Sequence, residues 1–227
     1  MTAPNLSIVV PVYNEGEVLT ELVSRCLAAA EETGWSFEIL LVNDGSDDNT
    51  EAMANTLTDG RLRWIHLPAN RGQFQATVHG LAQATGDWLA VLDGDLQDPP
   101  ETVMDLVGEA KRTPEVDAIF AVKAHRSDPI WMRSGAKLYH AAMGVLGRPL
   151  PRGAGSFCIM QKHIAQTVSQ LHHAHLNLAV AVSCACQSWT TVPYRKEGRE
   201  HGRSRVGPIG LGAEALGSLW YVARPHR

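Results

Sequence analysis

The sequence predicts an α/β fold, a doubly wound and mostly parallel sheet in a single domain, and three observations carry that reading. Short, continuous β-branched runs alternate with helical stretches through the first 123 residues. Parallel strands need crossover helices, so alternation of this kind builds a sheet covered on both faces. Polar clusters then recur directly after strand runs, at Tyr13-Asn14-Glu15, Asn43-Asp44 and Asp93–Gln97. Open α/β sheets bind ligands outside the carboxyl ends of their strands, so these clusters locate a site. Finally, 227 residues at 44% hydrophobic and 19% charged can bury a full core without disulfides.

Taken in order, Leu6–Val12 (LSIVVPV) is apolar and strand-length, as expected of a buried parallel strand. Val18–Glu32 carries apolar residues at helical spacing. Phe37–Val42 is a second strand ending in the turn formers Asn43-Asp44-Gly45-Ser46. Asp47–Leu57 reads as a helix, Leu62–Leu67 as a strand, Gln73–Ala84 as a helix and Trp88–Leu92 as a fourth strand. Pro99–Lys111 is a helix with prolines at its start, and Ala118–Val122 a fifth strand. Beyond it, helices are expected at Ser134–Leu146, His163–Leu171 and His172–Leu178, and strands at Ser156–Met160 and Thr190–Tyr194. Gly210–Val222, with Trp220 and Tyr221 near its end, reads either as a core helix or as an interfacial one lying on lipid.

The net charge of −4 hides a division. Residues 1–128 hold 21 Asp/Glu against 8 Lys/Arg, residues 129–227 hold 3 against 12, and Pro129 to Lys196 contains no acid at all. Such a basic half suits a phosphate-bearing ligand. Cys26, Cys158, Cys184 and Cys186 lack paired metal-ligand spacing and read as reduced thiols of a cytoplasmic protein. Met1–Asn5 has no basic region before an apolar core, and the longest apolar runs are about half the roughly 20 residues of a membrane span. The expectation is a cytoplasmic protein, peripheral to the membrane at most.

Asp93-Gly94-Asp95 follows the WLAVL strand. Carboxylates at i and i+2 on an extended segment face opposite ways, so the glycine is expected to supply a turn that joins them. Oxygen ligands of this kind, with Gln97 nearby, suit Mg²⁺ or Mn²⁺ shared with substrate phosphates. Neither a Walker loop nor GxGxxG is present, which argues against a kinase or a nicotinamide dehydrogenase.

PVYNEG (11–16), VNDGSDDNT (42–50), NRGQFQATVHGLAQATGDW (70–88) and LDGDLQDPPE (92–101) resemble the family 2 glycosyltransferases. Within that family the DLQDPP extension is most similar to the polyprenyl-phosphate branch, to which dolichol-phosphate mannose synthases and undecaprenyl-phosphate sugar transferases belong. The resemblance is strong over residues 6–123 and thinner to about 206. It implies a GT-A fold and inverting transfer from a UDP- or GDP-sugar, in a nucleotide-binding half (1–123), an acceptor half (124–206) and a C-terminal segment (207–227). By the same resemblance Pro11, Tyr13, Glu15 and Asp44 hold the nucleoside, with Gly72 and Gln73 in the donor site. Asp93, Asp95 and Gln97 form the metal and diphosphate group.

The acid-free half bears on the acceptor. A hydroxyl needs a general base, whereas a lipid phosphate is already ionised and needs positive charge beside the donor. Arg126, Arg133, Lys137, Arg199 and Arg205 are the candidates, and His201–Arg205 resembles the family's Gly-x-Ser-Lys loop. The expected partners are thus a nucleotide sugar and a lipid phosphate, with no nucleic acid. Ser156 and Cys158 stand where the family commonly has Asp and Arg. A hydroxyl acceptor, or a nucleotide-sugar-binding protein without catalysis, stays open on these departures. His172, His173 and His175 read as an exposed loop in preference to a metal site.

Overall fold

The structure, a computed structural model, describes residues 3–124, 143–145, 150–171, 176–196 and 208–223. Its frame is a seven-stranded sheet of β1 (Leu6–Val12), β2 (Phe37–Asn43), β3 (Leu62–His66), β4 (Trp88–Val91), β5 (Ala118–Lys123), β6 (Ala154–Gln161) and β7 (Trp189–Tyr194). The strand order is β3-β2-β1-β4-β6-β5-β7. The pairs β1–β2, β1–β4, β2–β3 and β5–β7 are parallel. β6 runs antiparallel between β4 and β5, so the sheet is mostly parallel, as the sequence predicts.

β1 is buried along its whole length because it has partners on both edges and helices on both faces. The helices are α1 (Leu19–Glu32), α2 (Thr50–Ala54), α3 (Gln73–Gln83), α4 (Thr102–Arg112), α5 (Lys162–Ser169), α6 (Leu178–Ala185) and α7 (Pro208–Ala223). One apolar layer joins Leu19, Leu22 and Cys26 of α1 and Leu106 of α4 to Ile8, Val10, Ile39 and Ile119. The other joins Val78 and Leu81 of α3, Ile164 of α5, Val180 of α6 and Tyr221 of α7 to Val9, Leu40, Val91 and Phe120. Alternate residues of each strand thus feed opposite layers, the period-two consequence of a sheet buried on both sides.

Several boundaries differ from the sequence reading for local reasons. α2 is shorter than Asp47–Leu57. Asp48 instead accepts hydrogen bonds from Thr50 N (2.9 Å) and Gly16 N (3.2 Å), tying the turn to the segment after β1. α4 starts at Thr102, not Pro99, because Thr102 N and Val103 N bond back only three residues, to Pro99 O and Pro100 O. Leu178 opens a helix where the sequence reading closes one. Asn177 caps α6 by accepting from Ala179 N at 2.9 Å, and the apolar 178–185 run buries in the core.

Of the helix expected over Ser134–Leu146, residues 143–145 are helical and Met143 is fully buried; the rest lies outside the described residues. α7 packs Tyr221 inward while Leu216 and Trp220, four residues apart, are 70% and 49% exposed. No helix among the described residues is long and apolar enough to cross a membrane.

Candidate active site

The order β3-β2-β1-β4 places the reversal of winding between β1 and β4, and a cavity of about 510 Å³ opens over their carboxyl ends. Pro11, Val12, Tyr13 and Glu15 line it from β1 and Asp44 from the end of β2. Asn70, Gly72 and Gln73 line it from the start of α3, and Asp93, Gly94, Asp95 and Gln97 from the end of β4. The structure therefore brings together every donor-side and metal-side candidate that the sequence nominates, and adds Lys196 from just beyond β7.

The loops that carry these residues are cross-braced. Asn14, at φ 54°, exchanges hydrogen bonds with Asp47 (2.6 Å and 3.0 Å), and its N–H donates to Ser46 Oγ. Glu15 N donates to Thr50 Oγ1 at 3.0 Å. Asp44 is 3% exposed and accepts from Arg71 N (2.8 Å) on one oxygen and Gly72 N (2.9 Å) on the other. Burial nonetheless pushes its pKa up, against those two hydrogen bonds. Its first task is thus to hold the 71–72 backbone against the cavity, a role that the sequence does not reveal.

The residues after β4 form the expected turn, with Gly94 and Asp95 in it and both acids on the cavity. Gly94 is outside the positive-φ region, and the left-handed residue is Leu96, at φ 57°. Gly94 is needed for a different reason: a Cβ there would lie 2.9 Å from both Pro11 O and Val12 Cγ1. Asp95 closes the turn by accepting from Gln97 N at 3.1 Å. A non-glycine residue in that conformation costs on the order of 1 kcal/mol or more and is held by its surroundings. Here Leu96 packs on the apolar layer of α1 and α4.

Asp93 is the electrostatic centre. Burial and the neighbouring Asp98 push its pKa up to about 7, with Asp95 adding to the rise and Ser156 and Lys196 opposing it. Ser156 stands opposite Asp93 because the β4–β6 register (Val91↔Cys158) continues two residues further, and its Oγ donates to Asp93 Oδ1 at 2.6 Å. Asp98 is 4% exposed and accepts from Tyr194 Oη at 2.6 Å. Asp98, Tyr194 and Lys196 are not among the site residues that the sequence nominates, and Ser156 stands out there only as a departure from the family pattern. The repeated acid in DLQDPP was a signal for Asp98, whereas the β6 and β7 contributions depend on strand order. Arg126, Arg133, Lys137, Arg199, Arg205 and the three histidines at 172, 173 and 175 lie outside the described residues.

Residues 7–168 match the family model described as Glycosyl transferase family 2. The chain belongs to that family. Undecaprenyl-phosphate 4-deoxy-4-formamido-L-arabinose transferase from Salmonella dublin is 31% identical over 207 residues, covering 88% of this chain and 62% of the relative. This family 2 chain thus spans less than two thirds of the length of the relatives it matches. Glucosyl-3-phosphoglycerate synthase from Mycobacterium tuberculosis, solved with Mn²⁺, UDP and phosphoglyceric acid, superposes with a TM-score of 0.72 at 18% identity. That match covers 98% of this chain and 80% of that one. A mannosyltransferase from Pyrobaculum calidifontis, in complex with GDP-Man and Mn²⁺, gives a TM-score of 0.58 at 18% identity, covering 97% and 70%. The fold of this family 2 chain is GT-A, in agreement with the expectation from its motifs.

Proposed function

We propose that this chain catalyses inverting transfer of a glycosyl group from a UDP- or GDP-sugar to a polyprenyl phosphate, assisted by Mg²⁺ or Mn²⁺. The observation that carries the reading is the convergence of Asp93 and Asp95 with Pro11, Tyr13 and Asp44 on one cavity at the winding reversal. In this reading Pro11, Tyr13, Glu15 and Asp44 hold the nucleoside, with Gly72 and Gln73 beside them.

Metal use is supported by the donor set. Asp93, Asp95 and Gln97 offer only oxygen ligands at the cavity, which suits small hard divalent cations. Burial, and after it the neighbouring Asp98 and Asp95 carboxylates, raise the Asp93 pKa to about 7, and a cation at the site would favour its charged form. A bound ion there would supply charge neutralisation for the departing nucleoside diphosphate. The Mn²⁺ in the M. tuberculosis and P. calidifontis complexes agrees with this choice.

The acceptor follows from where the acids lie. Glu15, Asp44, Asp93 and Asp95, the carboxylates among the described residues lining the cavity, all come from the first half, and the second half contributes Lys196. A phosphate oxygen attacks the anomeric carbon as its bond to the diphosphate oxygen breaks, and no proton has to be removed. The acceptor needs cationic anchoring, and Arg126, Arg133, Lys137, Arg199 and Arg205 are assigned to it. The similarity to the Salmonella undecaprenyl-phosphate 4-deoxy-4-formamido-L-arabinose transferases supports this acceptor class. Leu216 and Trp220 of α7 would supply apolar surface toward a membrane carrying it, on the cytoplasmic face.

The test is a transfer assay with Mg²⁺ or Mn²⁺ and labelled UDP- and GDP-sugars, offering a short polyprenyl phosphate and, separately, the matching polyprenol. Product from the phosphate alone is expected. Product from the alcohol would overturn the acceptor assignment, and donor binding without transfer or hydrolysis would overturn catalysis.

A further inference from the structure

Oxygen Oδ1 of Asp93 receives two hydrogen bonds from separate parts of the fold. Gln73 Nε2 donates at 2.5 Å from the start of α3, and Ser156 Oγ donates at 2.6 Å from β6. Among the described residues, both side chains that donate to Asp93 choose this oxygen and neither reaches Oδ2. A carboxylate oxygen has two in-plane lone pairs, so Oδ1 is fully engaged.

We propose that Gln73 and Ser156 are positioning residues that saturate one oxygen of Asp93 and leave the other as a single, directed ligand for a small divalent cation. This rests on the metal reading above and deepens it. For Asp93 to grip a cation with both oxygens, Oδ1 would have to give up two hydrogen bonds to a charged acceptor, the strong kind. The two donors belong to separate elements, one the first residue of α3 and one on the antiparallel strand beside β4, so neither a local turn nor a single rotamer change removes both.

The arrangement therefore selects among cations. Mg²⁺ demands near-ideal octahedral geometry at about 2.0–2.1 Å and takes one or two carboxylates, whereas Ca²⁺ accepts more ligands and two-oxygen carboxylates. A one-oxygen Asp93 disfavours Ca²⁺. Ser156 thereby becomes more than a departure from the family pattern. Its hydroxyl can donate to Asp93, which an ionised Asp at the same position could not.

The experiment is calorimetric titration of MnCl₂ and of CaCl₂ into the full chain, with and without UDP or GDP, on wild type, Ser156→Ala, Gln73→Ala, the double variant and Ser156→Thr. Loss of a hydrogen-bonding partner of a metal ligand typically lowers metal affinity about 10-fold or more. The expected result is weaker Mn²⁺ binding in each single variant and a further loss in the double. Discrimination against Ca²⁺ should narrow, and Ser156→Thr, which keeps the hydroxyl, should restore it. Melting without metal identifies any variant that fails to fold, and Gln73→Ala, at the cavity rim, then carries the test alone. Wild-type Mn²⁺ affinity and Ca²⁺ discrimination in the folded variants would overturn the positioning role. Asp95→Ala separates the two readings. Binding that Asp95→Ala abolishes and Ser156→Ala leaves intact would preserve the metal site and reject this inference alone. A wild-type chain that takes up no Mn²⁺ under any condition would reject both.

Discussion

Tyr194 donates a 2.6 Å hydrogen bond to Oδ1 of Asp98, across 96 residues of sequence, and both side chains are buried. The bond pins the end of β7, and with it Lys196, to the loop that carries Asp95 and Gln97. Burial and the Asp98 carboxylate push the phenol's pKa well above its ordinary value, so it remains a donor at any working pH. Tyr194→Phe would keep the edge-to-face packing on Phe157 (5.6 Å between centroids) and strand a buried carboxylate. The expected cost is about 1.5–3 kcal/mol, read as a lower urea midpoint. An unchanged midpoint would show that the bond contributes nothing.

Asp95→Ala should abolish metal-dependent transfer while leaving the fold intact. Asp95 sits on the cavity and accepts a 3.1 Å bond from Gln97 N. Circular dichroism matching wild type, together with turnover reduced by at least about 100-fold, is the outcome expected for loss of charge stabilisation at the leaving group. Retained metal-dependent turnover in the folded variant would sink the assignment.

Glu38 predicts an acid limb in the stability curve. It accepts from Ser7 Oγ, Thr85 N and Thr85 Oγ1, all at 2.7 Å, and pairs with Arg63 Nη1 at 2.9 Å. Burial alone would raise its pKa; the hydrogen bonds from Thr85, Arg63 and Ser7 outweigh it and hold the carboxyl below its usual range. A folded-state pKa below the unfolded one stabilises the fold fully above the ordinary value of about 4.3, and that contribution is lost as pH falls through the lowered value. Glu38→Gln should flatten the stability profile between about pH 5 and pH 3 relative to wild type. Parallel profiles from denaturant titrations would refute it.

Gly45→Ala should damage both stability and the donor site. Gly45 has φ 68°, and a Cβ would lie 2.7 Å from the Ala69 carbonyl carbon and 2.8 Å from Asn70 N. Backbone atoms cannot swing aside like the end of a side chain. We expect a loss of roughly 1–3 kcal/mol for the strained conformation alone. A raised KM for the donor should accompany it, since Asn70 lines the cavity. Wild-type melting temperature and KM would contradict both.

Much of this was legible in the chain. The burial of β1 follows from LSIVVPV, and the clusters after β1, β2 and β4 meet at one cavity because parallel strands end on the same edge. The turn at Asp93–Gln97 is legible from its glycine, whereas the tight approach of Gly94 to Pro11 and the left-handed Leu96 depend on what packs around them. Similarly, the apolar 178–185 run gave no periodicity by which to tell strand from helix, and Asn177 settles it by capping.

Local pattern by itself determined the alternating strands and helices of residues 6–123, the layered class, and the edge where donor-side residues gather. Those properties depend on side-chain period and on turn chemistry within a few residues. Only the tertiary structure decided that β6 would enter antiparallel beside β4, placing Ser156 across from Asp93, and that β7 would carry Tyr194 to Asp98 and Lys196 to the cavity. Such pairings join residues 63 and 96 positions apart. They depend on strand order and register, which the packing of the whole sheet selects and no local window of sequence encodes.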